Sequence, residues 1–421
     1  MKESREKRTV LVVGGGAAGL LAAGTAARDG ARVTLLEKNP RLGRKLLITG
    51  KGRCNITNSR DIKEFIGNYP SNGAFLYSAL NTFSNQDLIE LLGKMGLEVK
   101  EERGGRIFPA SDRSSDVLQA LERYTKKPAV DIRLGEPVRK LLVDREEKRV
   151  TGVLTSVAEY TSDAVIIATG GASYPLTGST GDGYQWAKDL GHAVVPLRPS
   201  LVPLETRERW VPDLQGLTLK NVQVQAYAGE ELLGQEFGEM LFTHFGVSGP
   251  IILSLSGYIG QVWRKRSRVV RLSINLKPAL SPQQLDQRIQ RDLTAAGKKQ
   301  FKNSLGGLLP RAMIPVVVEL SGIVGEKPAN QVTREERQRL GGLLQDLSVT
   351  TERSRPIAEA IVTAGGVAVK EIDPRTMASK LWKGLYFAGE VIDVDGYTGG
   401  YNLQAAFSTG FLAGKAAAKK E

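Results

Sequence analysis

Cysteine and histidine are nearly missing from this chain of 421 residues. The single cysteine, Cys54, excludes an intrachain disulfide, a CxxC redox pair and a thiolate metal cage. The two histidines, His192 and His244, lie far apart in sequence, so no metal site is expected. Long apolar runs are scarce as well. Val10 to Ala27 carries no charge and follows a basic start, MKESREKR, which raises a signal peptide or a membrane span as a reading. Five glycines in those 18 residues, three of them consecutive, argue against a continuous apolar helix. Hydrophobic residues at 41% and charged residues at 24% are ordinary for a soluble protein, and the length suggests two or three domains. These shortages point to a cytoplasmic enzyme with an organic cofactor and no membrane partner.

Acidic charge is also in deficit, 45 residues against 58 basic ones, for a net charge of +13. The excess is concentrated. Between Gln261 and Lys302 stand Arg264, Lys265, Arg266, Arg268, Arg271, Lys277, Arg288, Arg291, Lys298, Lys299 and Lys302, opposed only by Asp286 and Asp292. The window 261–302 therefore holds +9 of the +13. Such a cluster suits a polyanion such as RNA, and equally a solvated surface that aids solubility.

What is present in quantity is glycine, and its first cluster organises the chain. Thr9 to Lys38 reads as strand, glycine turn, helix, strand, acid. Gly14, Gly16 and Gly19 fit G-x-G-x-x-G, with Ala17 opening the helix: a tight turn, an approach for a pyrophosphate, and a close helix-to-strand contact. The helix N-terminus offers free N–H groups to phosphate. Glu37, 18 residues after Gly19, ends the second strand where a carboxylate can accept both hydroxyls of an adenosine ribose, with Lys38 beside it. This is the pattern of a dinucleotide site.

The next stretch, Leu42 to Asn58, is rich in glycine, basic and small polar residues, as in a loop wrapped around a cofactor. Arg44, Lys45 and Arg53, with Gly52 between them, can serve a pyrophosphate or an anionic flavin; Asn55, Thr57 and Asn58 can hydrogen-bond ring or ribityl groups. An ordinary surface loop is the competing reading. Ser114 or Ser115 can cap an amphipathic helix. Ala164 to Gly171 is a buried strand whose end, Thr169 and Gly170, gives a third approach to the cofactor. No second G-x-G-x-x-G follows in a strand–helix setting, so a separate nicotinamide domain is not indicated. Near the C-terminus, Leu385 to Ala388 is a buried strand, Gly389 and Glu390 form a turn whose acid can hold a ribityl hydroxyl, and a helix begins at Asn402 and Leu403. That helix N-terminus can face the flavin edge where negative charge develops on reduction.

Pro196, Pro199 and Pro203 mark a change of style. Short alternating runs at 221–227 and 269–276 read as antiparallel strands, and 281–309 and 334–347 as helices. The expected organisation is an α/β cofactor domain in two segments, 1–195 and 357–421, interrupted by a β-rich insert at 196–356 with a helical part.

Seven stretches carry a resemblance: VVGGGAAG, GKGRCNITN, GRIFPAS, ATGGASYPLTGSTGDGY, GEMLFTHFGVSGP, TAGGVAVKEIDPRTMASK and GLYFAGEVIDVDGYTGGYN. Over nearly its whole length the chain resembles the BaiN/RdsA family of NAD(P)/FAD-dependent oxidoreductases, also called aminoacetone-oxidase-family flavoproteins. The resemblance implies a Rossmann-type FAD-binding domain interrupted by a β-barrel-like insert. It implies FAD as cofactor and NAD(P)H as transient electron donor. Its namesakes reduce carbon–carbon double bonds, one in steroid-type bile acids and one in a ribosomal RNA uracil; other members are assigned amine oxidation. ATGG, TGDG and GLYFAGE are also similar to the fumarate-reductase class, but that class's catalytic-arginine motif has no counterpart here. The candidate proton donors are Cys54 and His244, each in a signature loop; packing against the flavin is the plainer role for Cys54. Three functions follow: a C=C reductase acting on ribosomal RNA through the basic window, a small-molecule flavoenzyme (enone reductase or amine or aminoketone oxidase), and a flavin-loaded binding protein.

Overall fold

The computed structural model describes residues 7–265 and 269–419. Its centre is a parallel sheet in the order Leu385–Phe387, Ala164–Ile167, Thr9–Val13, Arg32–Glu37, Val130–Leu134. Val10 pairs with Ala164 on one side and Val33 on the other, and these strands are almost wholly buried. Parallel strands covered on both faces need continuous apolar runs, which VLVV and AVII supply.

Helix Ala17–Arg28 follows the first strand and is buried over most of its surface, so small side chains must face every neighbour. The C-terminal helix, Tyr401–Ala417, packs on it so tightly that a Cβ at Gly410 would lie 2.3 Å from Ala18 O. One at Gly414 would lie 2.3 Å from Ala22 O. Two glycines four residues apart thus form a groove for the other helix's backbone. Around this core stand the antiparallel sheets Thr57–Asn58, Arg106–Pro109, Val99–Glu102 and Val138–Asp144, Arg149–Thr155, Glu159–Thr161.

The chain divides into two compact units, the second being Leu201–Pro356. The first unit thus runs to Ser200 rather than to residue 195. The prolines at 196 and 199 belong to a strand, Val194–Ser200, that pairs antiparallel with Val362–Val367 across a register shift between Val195 and Arg198. In a two-stranded sheet a proline can turn its missing N–H outward, so composition alone set the boundary too early.

The second unit is a closed six-stranded barrel: Leu204–Thr206, Gly246–Ser248, Glu231–Phe242, Thr218–Ala228, Val270–Asn275, Leu347–Ser354. Leu219, Val222, Val224, Ala226 and Ala228 are buried, and alternation along this strand breaks where Asn221 adopts φ 55°. Helices Pro282–Ala296, Met313–Ser321 and Arg334–Gln345 make the helical part; Ser281 with Gln284 and Thr333 with Glu336 form capping boxes. The helix expected over 281–309 stops at Ala296 because Gly297 ends it. The cap expected at Ser114 or Ser115 is absent: Arg113 holds the N-cap position, and Ser114 Oγ donates to Leu47 O.

Gly414→Ala should lower stability by about 1–3 kcal/mol, since its methyl meets backbone that cannot yield. Gly342→Ala, on an exposed helical turn with nothing within 4 Å, should raise stability by up to about 1 kcal/mol. Thermal unfolding of the two variants checks both signs.

Candidate cofactor site

The glycine turn separates into three environments. Gly14 has φ 109°, and a Cβ there would lie 2.4 Å from Ala168 O. A Cβ at Gly19 would lie 1.8 Å from Gly14 O, closing helix onto strand. At Gly16, by contrast, a Cβ would meet nothing within 4 Å. Gly16 is the N-cap of Ala17–Arg28 and supplies no side-chain hydrogen bond, so the first-turn N–H groups face open space. A dipole end with uncapped donors and room beside it has what an anion would need.

Glu37 lies beside that turn, 8% exposed. Its Oε2 accepts the Gly15 N–H at 2.7 Å, and its Oε1 accepts the backbone and side-chain N–H groups of Asn39 at 2.8 and 2.6 Å. Asn39 in turn accepts from Arg44 at 2.7 Å and donates to Thr177 O at 3.2 Å. Lys38 pairs with Asp182 at 2.6 Å and donates to Thr180.

The next residue after Arg44 reaches the opposite end of the chain. Lys45 Nζ donates to Glu390 Oε2 at 2.7 Å and to Ser173 Oγ at 2.6 Å. Glu390 Oε1 accepts from Thr363 N at 2.8 Å and Ser173 Oγ at 3.1 Å. Both ion-pair partners are about one-fifth exposed (22% and 20%). Burial works to raise the Glu390 pKa, but the Lys45 ammonium and these hydrogen bonds outweigh it and hold the carboxyl below its ordinary value. Gly389, at φ 77°, donates to Thr409 Oγ1 at 2.9 Å. Thr169 Oγ1, at the end of the Ala164–Ile167 segment, is buried and has no hydrogen-bond partner. Gly170 follows at φ 75°.

The Leu42–Asn58 loop is held by its own contacts. Arg53 lies over the Phe108 ring and pairs with Glu102 and with Asp112, the latter at 2.5 Å. Its hydrogen bonds to these two carboxylates raise its pKa and lower that of Glu102; Asp112 is lowered first by its hydrogen bond from Lys100 and then by Arg53. With its amide turned to satisfy its neighbours, Asn55 donates to Thr57 O and accepts from Gly400 N at 3.1 Å. Asn58 donates to Gly104 O and Gly399 O, both at 3.0 Å. Gly52 has φ 84°, and Cys54 φ 61°. Cys54 is fully buried, and burial, opposed by a bond with Thr49, pushes its thiol up to about 12.

The C-terminal helix begins one residue before Asn402, capped by Gly400 with no side-chain bond. Leu403 is in its first turn. The Asn402 side chain clamps the preceding loop, accepting from Gly396 N at 2.8 Å and donating to Gly396 O at 2.7 Å. His244 belongs to the barrel unit; it is exposed, with its ring edge-on to Phe245 at 5.0 Å.

The first unit therefore contains two helix N-termini without side-chain caps, three glycine-bearing strand ends, and the acids Glu37 and Glu390. The sequence reading missed Asn39, Ser173 and Thr363, which hold the two acids in place. Their pairings span up to 217 residues and leave no local pattern. Among the described residues, no group of three His, Cys, Asp or Glu could hold a metal, and no helix is long and apolar enough to cross a membrane.

The basic window carries less free charge in space than in sequence. Arg271 pairs with Asp346, Arg288 and Arg291 with Asp292, and Lys302 with Glu326. Asp286 is taken by Arg337. Among the described residues, Arg264, Lys277, Lys298 and Lys299 make no ion pair. The Lys265 side chain, Arg266 and Arg268 lie outside what the structure describes.

Three comparisons bear on this arrangement. Residues 8–416 match the family described as HI0933-like protein Rossmann domain. The chain is 33% identical over 412 residues to a 3-dehydro-bile acid delta(4,6)-reductase of Clostridium scindens, covering 97% of this chain and 98% of that one. It is 34% identical over 406 residues to a ribosomal RNA dihydrouridine synthase of Escherichia coli, covering 96% of each. Among solved structures, a 3-ketosteroid delta1-dehydrogenase from Sterolibacterium denitrificans shares the fold, with a TM-score of 0.54 at 16% identity over 98% of this chain and 99% of that one.

Lys45→Met leaves the Glu390 carboxylate without its cation. We expect a loss of about 3 kcal/mol at neutral pH, the lower end of the range for breaking a buried pair because some solvent reaches it. Glu390 is depressed in the folded state, so its contribution is present above its ordinary pKa of 4.5 and is lost as pH falls below it. Urea unfolding from pH 7 to pH 3 should therefore show a shallower acid limb in the variant than in the parent.

Proposed function

This chain belongs to the HI0933-like family of FAD-dependent oxidoreductases, and from that premise we propose that it reduces a conjugated carbon–carbon double bond, that of uracil in ribosomal RNA, with NAD(P)H as electron donor. The reaction class rests on the two full-length relatives, both named for enzymes that saturate a conjugated C=C.

The residues present fit a dinucleotide. Open space at Gly16 and an uncapped helix are unspent binding capacity in one cradle. The pyrophosphate belongs at the N–H groups of Gly16, Ala17 and Gly19, flanked by Arg44. Glu37, its carboxylate oriented by Gly15 and Asn39, takes the ribose hydroxyls, with Lys38 bordering the adenosine end. Thr169, Gly170, Lys45, Gly389 and Glu390 take the ribityl chain, and Asn402 and Leu403 present N–H groups to the ring. Gly52, Arg53 and Asn55 shape the loop that covers it. FAD, once bound and reduced by the NAD(P)H donor, would supply a hydride to one carbon of the double bond. The other carbon needs a proton from the protein. His244 and Cys54 are the candidates: His244 is exposed, whereas Cys54 is fully buried with its thiol pushed up to about 12, which favours a packing role for it.

A basic surface favours RNA over a small enone. Arg264, Lys298 and Lys299 are exposed cations that make no ion pair among the described residues, and a small apolar substrate does not require them. Phosphate contacts would dock the RNA and leave selection of the base to the site. A second reading, a small enone as substrate, has its own support in the nearly equal identity to the bile acid reductase.

In a strain lacking this protein, mass spectrometry of ribosomal RNA nucleosides should show a loss of dihydrouridine. The Arg264→Gln, Lys298→Gln, Lys299→Gln variant should bind unmodified RNA with a salt dependence shallower by about 0.9 in log–log slope per phosphate contact removed. Unchanged dihydrouridine together with an unchanged slope leaves the small-enone reading.

A further inference from the structure

Glu390 and Asn402 are joined by a loop, GEVIDVDGYTGGYN, that contains two further acids, Asp393 and Asp395. Asp395 is 4% exposed. Its Oδ2 accepts from Ser200 Oγ at 2.9 Å, while its Oδ1 is buried with no partner. A charged oxygen left unpaired in the interior is far more costly than the carbonyl oxygen of a neutral acid. Asp393, two residues earlier, is also buried; its Oδ2 accepts from Asn72 at 2.9 Å. The neighbouring backbone is fixed by a bridge between Ser71 and Asp395 and by the Asn72 bond to Asp393 O at 2.7 Å.

The charged groups that face Asp395 are few. Asp393 opposes its ionisation, and Arg198, two residues before Ser200 on the same strand, favours it. Burial is the largest influence and, with Asp393, raises its pKa above the ordinary value. The acid thus sits between two states, one favoured by the dry surroundings and one by a nearby guanidinium that makes no ion pair among the described residues.

We propose that Asp395 is a redox-linked proton store: a neutral acid in the resting protein whose hold on its proton tightens when a flavin bound against its loop gains electrons. The link rests on the cofactor reading above, since the loop runs from the ribityl-side turn at Gly389–Val391 to the helix N-terminus assigned to the ring. Added negative charge in low-dielectric surroundings disfavours a second negative charge close by. Asp395 touches no reacting atom in this account; it sets how protons follow electrons into the site.

The test uses purified holoprotein as parent, Asp395→Asn and Ser200→Ala. Below the ordinary Asp pKa of 3.8 the folded and unfolded chains both carry this proton. As pH rises above it the unfolded chain ionises first, so the buried neutral acid costs stability that asparagine does not. The melting temperature of Asp395→Asn minus that of the parent should therefore grow between pH 5 and pH 8, by about 2–4 °C. An infrared band of a protonated carboxyl at pH 7 should be present in the parent and in Ser200→Ala and lost in Asp395→Asn. The midpoint potential of the bound flavin, titrated with dithionite from pH 5 to pH 9, should show an inflection in the parent that Asp395→Asn removes. A constant or negative melting difference, absence of the carboxyl band in the parent, or an inflection that survives in Asp395→Asn each overturns the proposal. A preparation without flavin would defeat the cofactor reading and with it the redox link, while the first two readouts still decide the state of the acid.

Discussion

The first unit is built from two stretches of chain, one before the barrel and one after it, and the Lys45–Glu390 ion pair joins them. Lys45 sits on the short helix Arg44–Ile48 that follows Glu37; Glu390 sits on the turn after strand Leu385–Phe387. Ser173, from the loop after strand Ala164–Ile167, bonds to both partners. Three of the loops at the ends of the parallel strands are thereby fixed to one another before any ligand is present. Preorganisation of this sort lowers the ordering cost of binding a long, flexible dinucleotide. It also sets a constraint: cation and acid must each keep this geometry or leave a charge buried without a partner.

Close backbone packing supports the same end of the sheet. The glycines at 410 and 414 let the C-terminal helix lie against Ala17–Arg28, so both helix N-termini are uncapped by side chains and belong to one rigid layer. Asn402, Asn55 and Asn58 then tie the loop before the second helix to its neighbours. The asparagines serve as clamps on backbone groups, which explains amide side chains where the glycine-rich chain would otherwise be loose. The barrel unit keeps its own core, with a separate apolar cluster from Leu204 to Val349.

Much of this was legible in the sequence, and for identifiable reasons. The spacing of Gly14, Gly16 and Gly19 and the acid at Glu37 are local features, and local features survive in one dimension. The strands Thr9–Val13 and Ala164–Ile167 announced themselves as unbroken apolar runs, and the family resemblance carried the barrel that alternation alone had left as a β-rich insert. What escaped was non-local. No periodicity connects Lys45 to Glu390 or Asn39 to Thr177, and Asp395 looks like a surface acid until the fold buries it. Proline misled at 196 and 199 because a two-stranded sheet tolerates it. Part of the charge of the 261–302 window is answered in space by Asp346 and Glu326, which lie outside it in sequence.

The central claim is that this cradle holds a flavin whose electrons go to a C=C bond in RNA. The most direct measurement is made without oxygen. Holoprotein is reduced with one equivalent of NADPH, mixed with unmodified ribosomal RNA, and followed by flavin absorbance, with dihydrouridine in the RNA counted at the end. The account predicts that RNA restores the oxidised flavin spectrum and gains one dihydrouridine per flavin reoxidised. A flavin that stays reduced with RNA but is reoxidised by a small enone would contradict it.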